Sequence, residues 1–134
     1  MDWSATYLDW TRRNLELNGI HGSRHQRIQA DCRQWLVWAR DRYDLIFLDP
    51  PTFSNSKRLE TTFDVQRDHV ALVRQTLRLL APDGLLIFST NARKFRLDVD
   101  ALADLSIEDW SRRTLPPDFA RNPRIHQCWR ITPP

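Results

Sequence analysis

One stretch near the middle of the chain combines residue types suited to holding a flat, nitrogen-containing substrate. It reads YDLIFLDPPTFSNSK from residue 43 to residue 57. Residues 45–48 have the length and bulk of a buried strand, and the two prolines that follow can neither extend a strand ladder nor enter a helix. The strand therefore ends in a stiff loop with a carboxylate (Asp49), an aromatic ring (Phe53) and a cation (Lys57) at its mouth. We expect the active site here, with Asp49, Pro50, Pro51 and Phe53 at its centre.

The elements that must position this loop alternate between strands and helices. Helices are predicted from Ser4 to Asn18, from Cys32 to Arg40, from Phe63 to Ala81 and from Asp98 to Leu105. Strand candidates cover residues 27–30, 45–48, 85–89, 107–115 and 125–132. This alternation predicts the α/β class, with a doubly wound sheet.

Polar residues follow several of these strands. Asp31, Asp49 and the Ser89-Thr90-Asn91 turn each come directly after a strand, and Asp2 stands where a preceding strand would deliver it. Right-handed crossovers would bring all of them to one edge of the sheet, where such folds bind ligands. Two interpretations of Asp31 stay open, because it is also a suitable N-cap for the helix that follows.

The basic residues are unusual in kind. Among 20 cationic side chains only Lys57 and Lys94 are lysines, and the net charge is +3. Arginine's planar fork suits phosphates and base edges, so a nucleic-acid partner is compatible with the composition. Residues 93–96 (RKFR) place cations around an aromatic ring, as nucleic-acid contacts do, although a solvated loop has the same composition. His69 is interpreted either as a substrate contact or as an ordinary surface or helix-packing residue.

Composition also bounds the class of protein. The 134 residues, 41% hydrophobic and 28% charged, suit one soluble globular domain. No apolar run reaches the roughly 20 residues of a membrane helix, and charges interrupt the first residues where a signal peptide would need an apolar stretch. We therefore expect a cytoplasmic protein. Cys32 and Cys128 lie far apart without a CxxC motif, so neither a disulfide framework nor a metal site is predicted.

Longer runs of residues sharpen this pattern. They are residues 49–57 (DPPTFSNSK), 63–69 (FDVQRDH) and 118–122 (DFARN), with His126 and Trp129. With the acidic strand ends, they resemble class I S-adenosylmethionine-dependent methyltransferases, and within these the carboxy-terminal, guanine-N7-methylating half of the bifunctional bacterial 23S ribosomal RNA methyltransferases K/L. The resemblance covers essentially the whole chain. It implies a Rossmann-like fold and a partial methyltransferase domain spanning residues 1–134.

The resemblance also implies a cofactor and its ligands. S-adenosyl-L-methionine would be the methyl donor, with Asp2 on its ribose hydroxyls and Trp3 against its adenine. Asp31 would accept a hydrogen bond from the adenine amine, with the Cys32 backbone close by. Asp49 would contact both the donor and the target base. Carboxylates that accept hydroxyl hydrogen bonds suit the first of these roles on chemical grounds alone.

On the substrate side, the resemblance implies that Pro50 and Pro51 frame the target base and that Phe53 stacks on it. The substrate would be 23S ribosomal RNA. Guanine N7 carries a free lone pair, so its methylation needs orientation rather than a general base. Phosphate contacts are expected from six basic side chains: Lys57, Arg58, Arg67, Arg93, Lys94 and Arg121.

The chain departs from the family pattern at its amino end. The first strand and the glycine-rich turn that would receive the methionine part of the cofactor do not occur in the sequence. We therefore expect a partner in the missing amino-terminal part of the same enzyme, and self-association through exposed sheet edges when the segment is alone. Two alternatives stay open: an RNA or DNA amino-methyltransferase, and an inactive segment that only pairs with the missing part. Carbon-5 methylation of a pyrimidine is rejected, because neither cysteine lies beside a substrate loop.

Overall fold

Helices dominate the first of two units into which the chain divides. A computed structural model describes residues 1–54 and 62–133, and the units are Met1–Ala39 and Arg40–Pro134. In the first unit, helix α1 spans Ala5–Leu17 and begins at Ser4, whose side chain accepts a hydrogen bond from the Tyr7 amide. Gly19 follows with a φ of +68°, a left-handed conformation that ends helices and favours glycine. The predicted first helix is confirmed.

A short parallel bridge precedes the second helix. Asp2 pairs with Gln29, and Asp31 then caps helix α2, Cys32–Trp38. The strand expected at residues 27–30 is thus reduced to one bridge in the described chain. Two backbone hydrogen bonds form the bridge: the Asp2 amide donates to the Ile28 carbonyl, and the Ala30 amide donates to the Asp2 carbonyl.

The described residues of the second unit form a mixed four-stranded sheet. Its strands are β1 (Tyr43–Leu48), β4 (Leu80–Thr90), β5 (Ser106–Asp109) and β6 (Gln127–Thr132), in the order β1-β4-β6-β5. Strand β1 runs parallel to β4, whereas β4 and β5 are both antiparallel to β6. A two-stranded antiparallel pair, β2 (Phe53–Ser54) with β3 (Phe63–Asp64), stands after β1.

Helix α3 spans Val65–Leu77, which is shorter than the helix predicted from residue 63 to 81. At its start, Phe63 and Asp64 pair with Phe53 and Ser54, and Asp64 becomes the N-cap by accepting from the Gln66 and Arg67 amides. At its end, residues 80–84 have already joined β4, where the register to β1 shifts between Tyr43 and Leu45. A Cβ on Gly84 would lie 2.9 Å from the Tyr43 carbonyl oxygen, so this shifted approach requires glycine.

The core of the second unit lies between α3 and the sheet. Its fully buried members include Val73 on α3, Leu86 and Phe88 on β4 and Ile131 on β6. The helix expected from Asp98 to Leu105 is wrong, because this segment forms turns in which Asp98 accepts from the Ala101 amide. Its Leu102 is nevertheless fully buried. A helical span long and apolar enough for a membrane is not found in residues 1–54 or 62–133.

Candidate active site

Two acidic residues stand at the ends of neighbouring backbone segments in the first unit. Asp2 forms the parallel bridge with Gln29, and Asp31 follows Gln29 by two residues. The Asp2 carboxylate accepts from the Ser4 amide at 2.7 Å, which fixes its direction. Trp3 keeps 47% of its surface exposed beside it. This unit therefore presents a carboxylate and an open aromatic face next to each other.

The Asp31 carboxylate divides its two oxygens between two environments. Oδ1 accepts from the Arg33 amide at 2.9 Å and caps α2. Oδ2 is buried and forms an ion pair with the Arg33 guanidinium at 3.6 Å, but it accepts no hydrogen bond from the described residues. A buried acceptor without a donor is costly, and a ligand N–H would satisfy it. The N-cap interpretation of Asp31 is therefore confirmed for Oδ1, and the ligand-binding interpretation stays a prediction for Oδ2.

Cys32 opens helix α2 directly after this carboxylate. Burial raises the pKa of its thiol, and the negative charge of Asp31 adds to the effect. The thiolate needed by a nucleophilic cysteine is thus disfavoured at this position. Among residues 1–54 and 62–133, no three His, Cys, Asp or Glu side chains converge as a metal site would require.

In the second unit, the loop after β1 is tied to the end of β4 by side chains. Ser89 donates from Oγ to Asp49 Oδ1 at 2.7 Å, and Thr52 donates from Oγ1 to Asn91 Oδ1 at 2.9 Å. The Thr52 carbonyl also accepts from the Val65 amide at the start of α3. Because β1 and β4 are parallel, both of their carboxyl ends lie at one edge of the sheet. The structure therefore brings Asp49 and the Ser89–Asn91 turn together, as expected.

The two prolines and the aromatic residue of this loop differ in exposure. Pro50 is buried, whereas Pro51 is exposed and Phe53 has 56% of its surface accessible. Phe53 pairs with Asp64 through the backbone, so its ring stands on a fixed piece of chain. An accessible ring on a positioned backbone can stack on a planar base.

The predicted phosphate contacts fall into three groups. Arg93, Lys94 and Arg121 are exposed in turns. Arg67 is also exposed, but its guanidinium forms two hydrogen bonds of 2.7 Å with the carboxylate of Asp68. Lys57 and Arg58 lie outside the described residues.

His69 lies inside the unit rather than at its surface. It is 2% exposed and its ring meets Phe95 edge-on, with centroids 4.8 Å apart. Its Nδ1 is 2.9 Å from the Gln66 carbonyl, and its Nε2 accepts from the Asp98 amide at 3.1 Å. The helix-packing interpretation of His69 is the one that this geometry supports.

Two residues of the loop's support were not predicted individually. The sequence placed Ser89 and Asn91 at the edge as small polar residues ending a strand, but it did not assign them to Asp49 and Thr52. The available signal was the position of Ser and Asn directly after an apolar strand. Their partners emerge only from the register between β1 and β4.

Among known proteins, the chain is similar to ribosomal RNA methyltransferases. No family model matches the chain. A ribosomal RNA large subunit methyltransferase K/L of Methylococcus capsulatus is 61% identical over 137 residues, and that of Allochromatium vinosum is 58% identical over 136, each covering 100% of this chain. The Vibrio cholerae protein of the same name is 56% identical over 98% of it. The chain spans 18–19% of the length of these relatives.

Solved structures give the same fold. SMU.776, assigned as a methyltransferase and crystallised with SAH, superposes with a TM-score of 0.76 at 25% identity, over 96% of this chain and 37% of its own. A SAM-dependent methyltransferase from Agrobacterium tumefaciens superposes with a TM-score of 0.71 at 13% identity, over 98% of this chain and 47% of its own, a likeness of fold alone. The chain is therefore homologous to one segment of the ribosomal RNA large subunit methyltransferases K/L, and it has the Rossmann-like α/β fold of SAM-dependent methyltransferases.

Proposed function

We propose that both units belong to one methyltransferase domain of a longer cytoplasmic enzyme, which transfers a methyl group from S-adenosylmethionine to guanine N7 of 23S ribosomal RNA. The observation that carries the cofactor part is Asp31 Oδ2, a buried acceptor without a hydrogen bond from the described residues. The adenine amine is a donor of the required kind. The substrate part rests on the similarity to the K/L proteins along the whole chain.

The residues of the first unit fit such a cofactor. The Asp2 carboxylate is suited to accept from ribose hydroxyls, and the exposed Trp3 ring offers a face or edge to adenine. Asp31 is already oriented by its bond to the Arg33 amide, so it loses little freedom on binding. When bound, the cofactor supplies an electrophilic methyl group.

In the second unit, the proposed role of Asp49 is to orient the methyl donor and the target base. Guanine N7 has an in-plane lone pair and no proton to remove, so the methyl transfer requires no general base. Ser89 holds the Asp49 carboxylate in one direction, and Phe53 provides the accessible ring for the base. Replacing Asp49 with alanine in the full-length enzyme should therefore abolish methylation while the fold is retained. Normal turnover of Asp49→Ala would contradict this role.

An exocyclic amine is the alternative target. Asp49 is exposed and would accept a hydrogen bond from such an N–H, which makes the same loop compatible with amino methylation. Mass analysis of the nucleosides from RNA treated with the full-length enzyme separates the two products. We expect the wild type to form 7-methylguanosine and Asp49→Ala to lose this product. If Asp49→Ala instead loses a nucleoside methylated on its amine, the alternative reaction is the correct one.

A calorimetric titration of the full-length protein with S-adenosylhomocysteine tests the cofactor site. Asp31→Ser keeps an N-capping oxygen but removes Oδ2. We expect its Kd to rise about 10-fold or more, because a hydrogen bond to a charged group is worth roughly 1.5–3 kcal/mol. Asp64→Ser is the matched control, since it also removes the charge of an N-cap aspartate. Binding unchanged in Asp31→Ser would remove this residue from the site, and no binding by the wild type would favour the inactive-segment alternative.

The proposed partner within the longer protein pairs with strand β1. In the described part of the chain β1 has one neighbour, β4, and its Leu45 and Phe47 are 62% and 67% exposed. Apolar side chains on an unpaired edge favour association with another strand. The segment by itself is therefore expected to self-associate in light scattering. A monodisperse monomer with a sharp thermal transition would contradict that.

A further inference from the structure

Cations without carboxylate partners are concentrated at one edge of the second unit. In the body of this unit, Arg74 pairs with Asp104 and Arg130 with Glu108, as Arg67 does with Asp68. The exposed cations that follow β4 and β5 form no ion pair with the described residues: Arg93, Lys94, Arg96, Arg112, Arg113, Arg121 and Arg124. Cations without an internal ion pair are available for an external anion.

The register of the sheet places these residues side by side. Thr90 at the end of β4 faces Gln127 at the start of β6, and Asp109 at the end of β5 faces Trp129. Residues 91–96 and 110–126 therefore leave the sheet on opposite sides of the beginning of β6. At about 4.8 Å between neighbouring strands, β4 and β5 lie roughly 10 Å apart.

Hydrogen bonds from β6 fix both segments. On one side, Gln127 donates to the carbonyls of Ala92 and Phe95 at 3.3 and 3.1 Å. On the other side, the Trp110 amide donates to the Cys128 carbonyl at 2.8 Å, and the Cys128 amide donates to Ser111 Oγ at 3.0 Å. The cations are thus carried on turns with defined positions, which reduces the ordering cost of binding.

One arginine of the second turn is also oriented by its own side-chain contact. The Arg113 guanidinium lies over the Trp110 ring, 4.6 Å from its centroid. The Trp110 indole N–H donates to Glu108, which in turn pairs with Arg130. A guanidinium stacked on a ring keeps its in-plane N–H groups free for phosphate oxygens.

From this arrangement we infer that the Trp110–Thr114 turn, through Arg112 and Arg113, binds the phosphate backbone of the RNA substrate alongside the Arg93-Lys94 turn. This inference rests on the proposed function, because the RNA is the partner named there. It adds a second phosphate-binding element, on the far side of β6, to the contacts expected from the sequence. The element contributes affinity and register but no base selection.

The test is RNA binding by the full-length protein across a range of salt concentrations. Arg112→Ala/Arg113→Ala should lower the slope of log K against log salt by about 1.4 to 1.8, corresponding to two lost phosphate contacts. Arg112→Lys/Arg113→Lys keeps both charges and should restore most of that slope. Arg12→Ala/Arg74→Ala is the matched control, since it removes the same net charge from two ion-paired arginines.

The outcomes separate this inference from the proposed function. Calorimetric binding of S-adenosylhomocysteine should be the same in all variants, which shows that the site in the first unit is intact. If the wild type binds RNA but the alanine variant keeps the slope of the control, the second turn is not part of the interface. If the wild type shows no salt-dependent RNA binding, the proposed function itself fails.

Discussion

Replacing His69 with leucine should loosen the turn that carries Arg93 and Lys94. The imidazole is 2% exposed and its Nε2 accepts from the Asp98 amide at 3.1 Å, which ties helix α3 to the chain after this turn. Leucine preserves an apolar contact with Phe95 but offers no acceptor. The Asp98 amide would then be left without its partner.

The expected size follows from that single group. An unsatisfied buried donor costs about 1–3 kcal/mol, and the lower part of this range applies because the Asp98 bond is only partly buried. A loss of about 1–2 kcal/mol corresponds to opening that is roughly 5–30 times more frequent. The turn should not detach completely, since Gln66 holds the Arg96 amide and carbonyl at 2.8 and 2.9 Å.

Hydrogen exchange of the full-length protein, resolved to peptides covering residues 92–105, measures this opening. We expect faster exchange around Asp98 in His69→Leu and smaller changes at Arg96. Gln75→Leu on the same helix is the control, since among the described residues Gln75 forms no hydrogen bond to this turn. Unchanged exchange at Asp98 would show that the histidine does not hold the turn.

Three further predictions concern other parts of the chain. Ser89→Ala removes the hydrogen bond to Asp49 and should lower kcat/KM for methylation about 5–10-fold, because such a bond is worth about 1–1.4 kcal/mol. Ser89→Thr keeps the hydroxyl and should restore kcat/KM. Equal kinetics of the wild type, Ser89→Ala and Ser89→Thr would contradict the positioning role of Ser89. Burial raises the pKa of the Cys128 thiol, so at pH 8 its thiolate is scarcer than that of a free cysteine. Iodoacetamide should therefore modify Cys128 much more slowly in the native than in the unfolded protein. Comparable rates in the two states would be inconsistent with this burial. Phe95→Ala removes a buried ring and should destabilise the second unit by about 3–5 kcal/mol in thermal unfolding. Phe53→Ala, at an exposed ring, should change the stability by less than about 0.5 kcal/mol. Similar losses in both variants would refute the assigned core.

The main features of the fold could be predicted where local sequence and tertiary context agree. Residues 45–48 followed by two prolines form β1 and a loop, and Ser4 and Asp31 cap helices as expected. At residues 63–64 the apolar pattern continues that of α3, so the sequence predicts a longer helix. Pairing with Phe53 and Ser54 decides the conformation there, and such pairing has no local signal.

For the site, residue types were predictable but their partners were not. The sequence allows two interpretations of Asp31, and only the structure shows that its two carboxylate oxygens have different surroundings. Arg67 and Arg93 look alike in sequence, yet the first lies against the carboxylate of Asp68 while the second has no ion pair with the described residues. Ion pairing depends on rotamers and neighbouring turns, which hydrophobic periodicity does not encode.

The position of β6 between β4 and β5 has a consequence for the order of folding during protein synthesis. Strand β5 pairs with β6 within the sheet, and both arginine-bearing turns are bonded to residues 127 and 128. None of these contacts can form before residues 127–132 have been made and released, however early α3 and β4 appear. The two arginine-bearing turns are therefore expected to be the last part of the second unit to acquire structure, and nascent chains stopped before residue 127 should be readily cleaved by protease between β4 and β5.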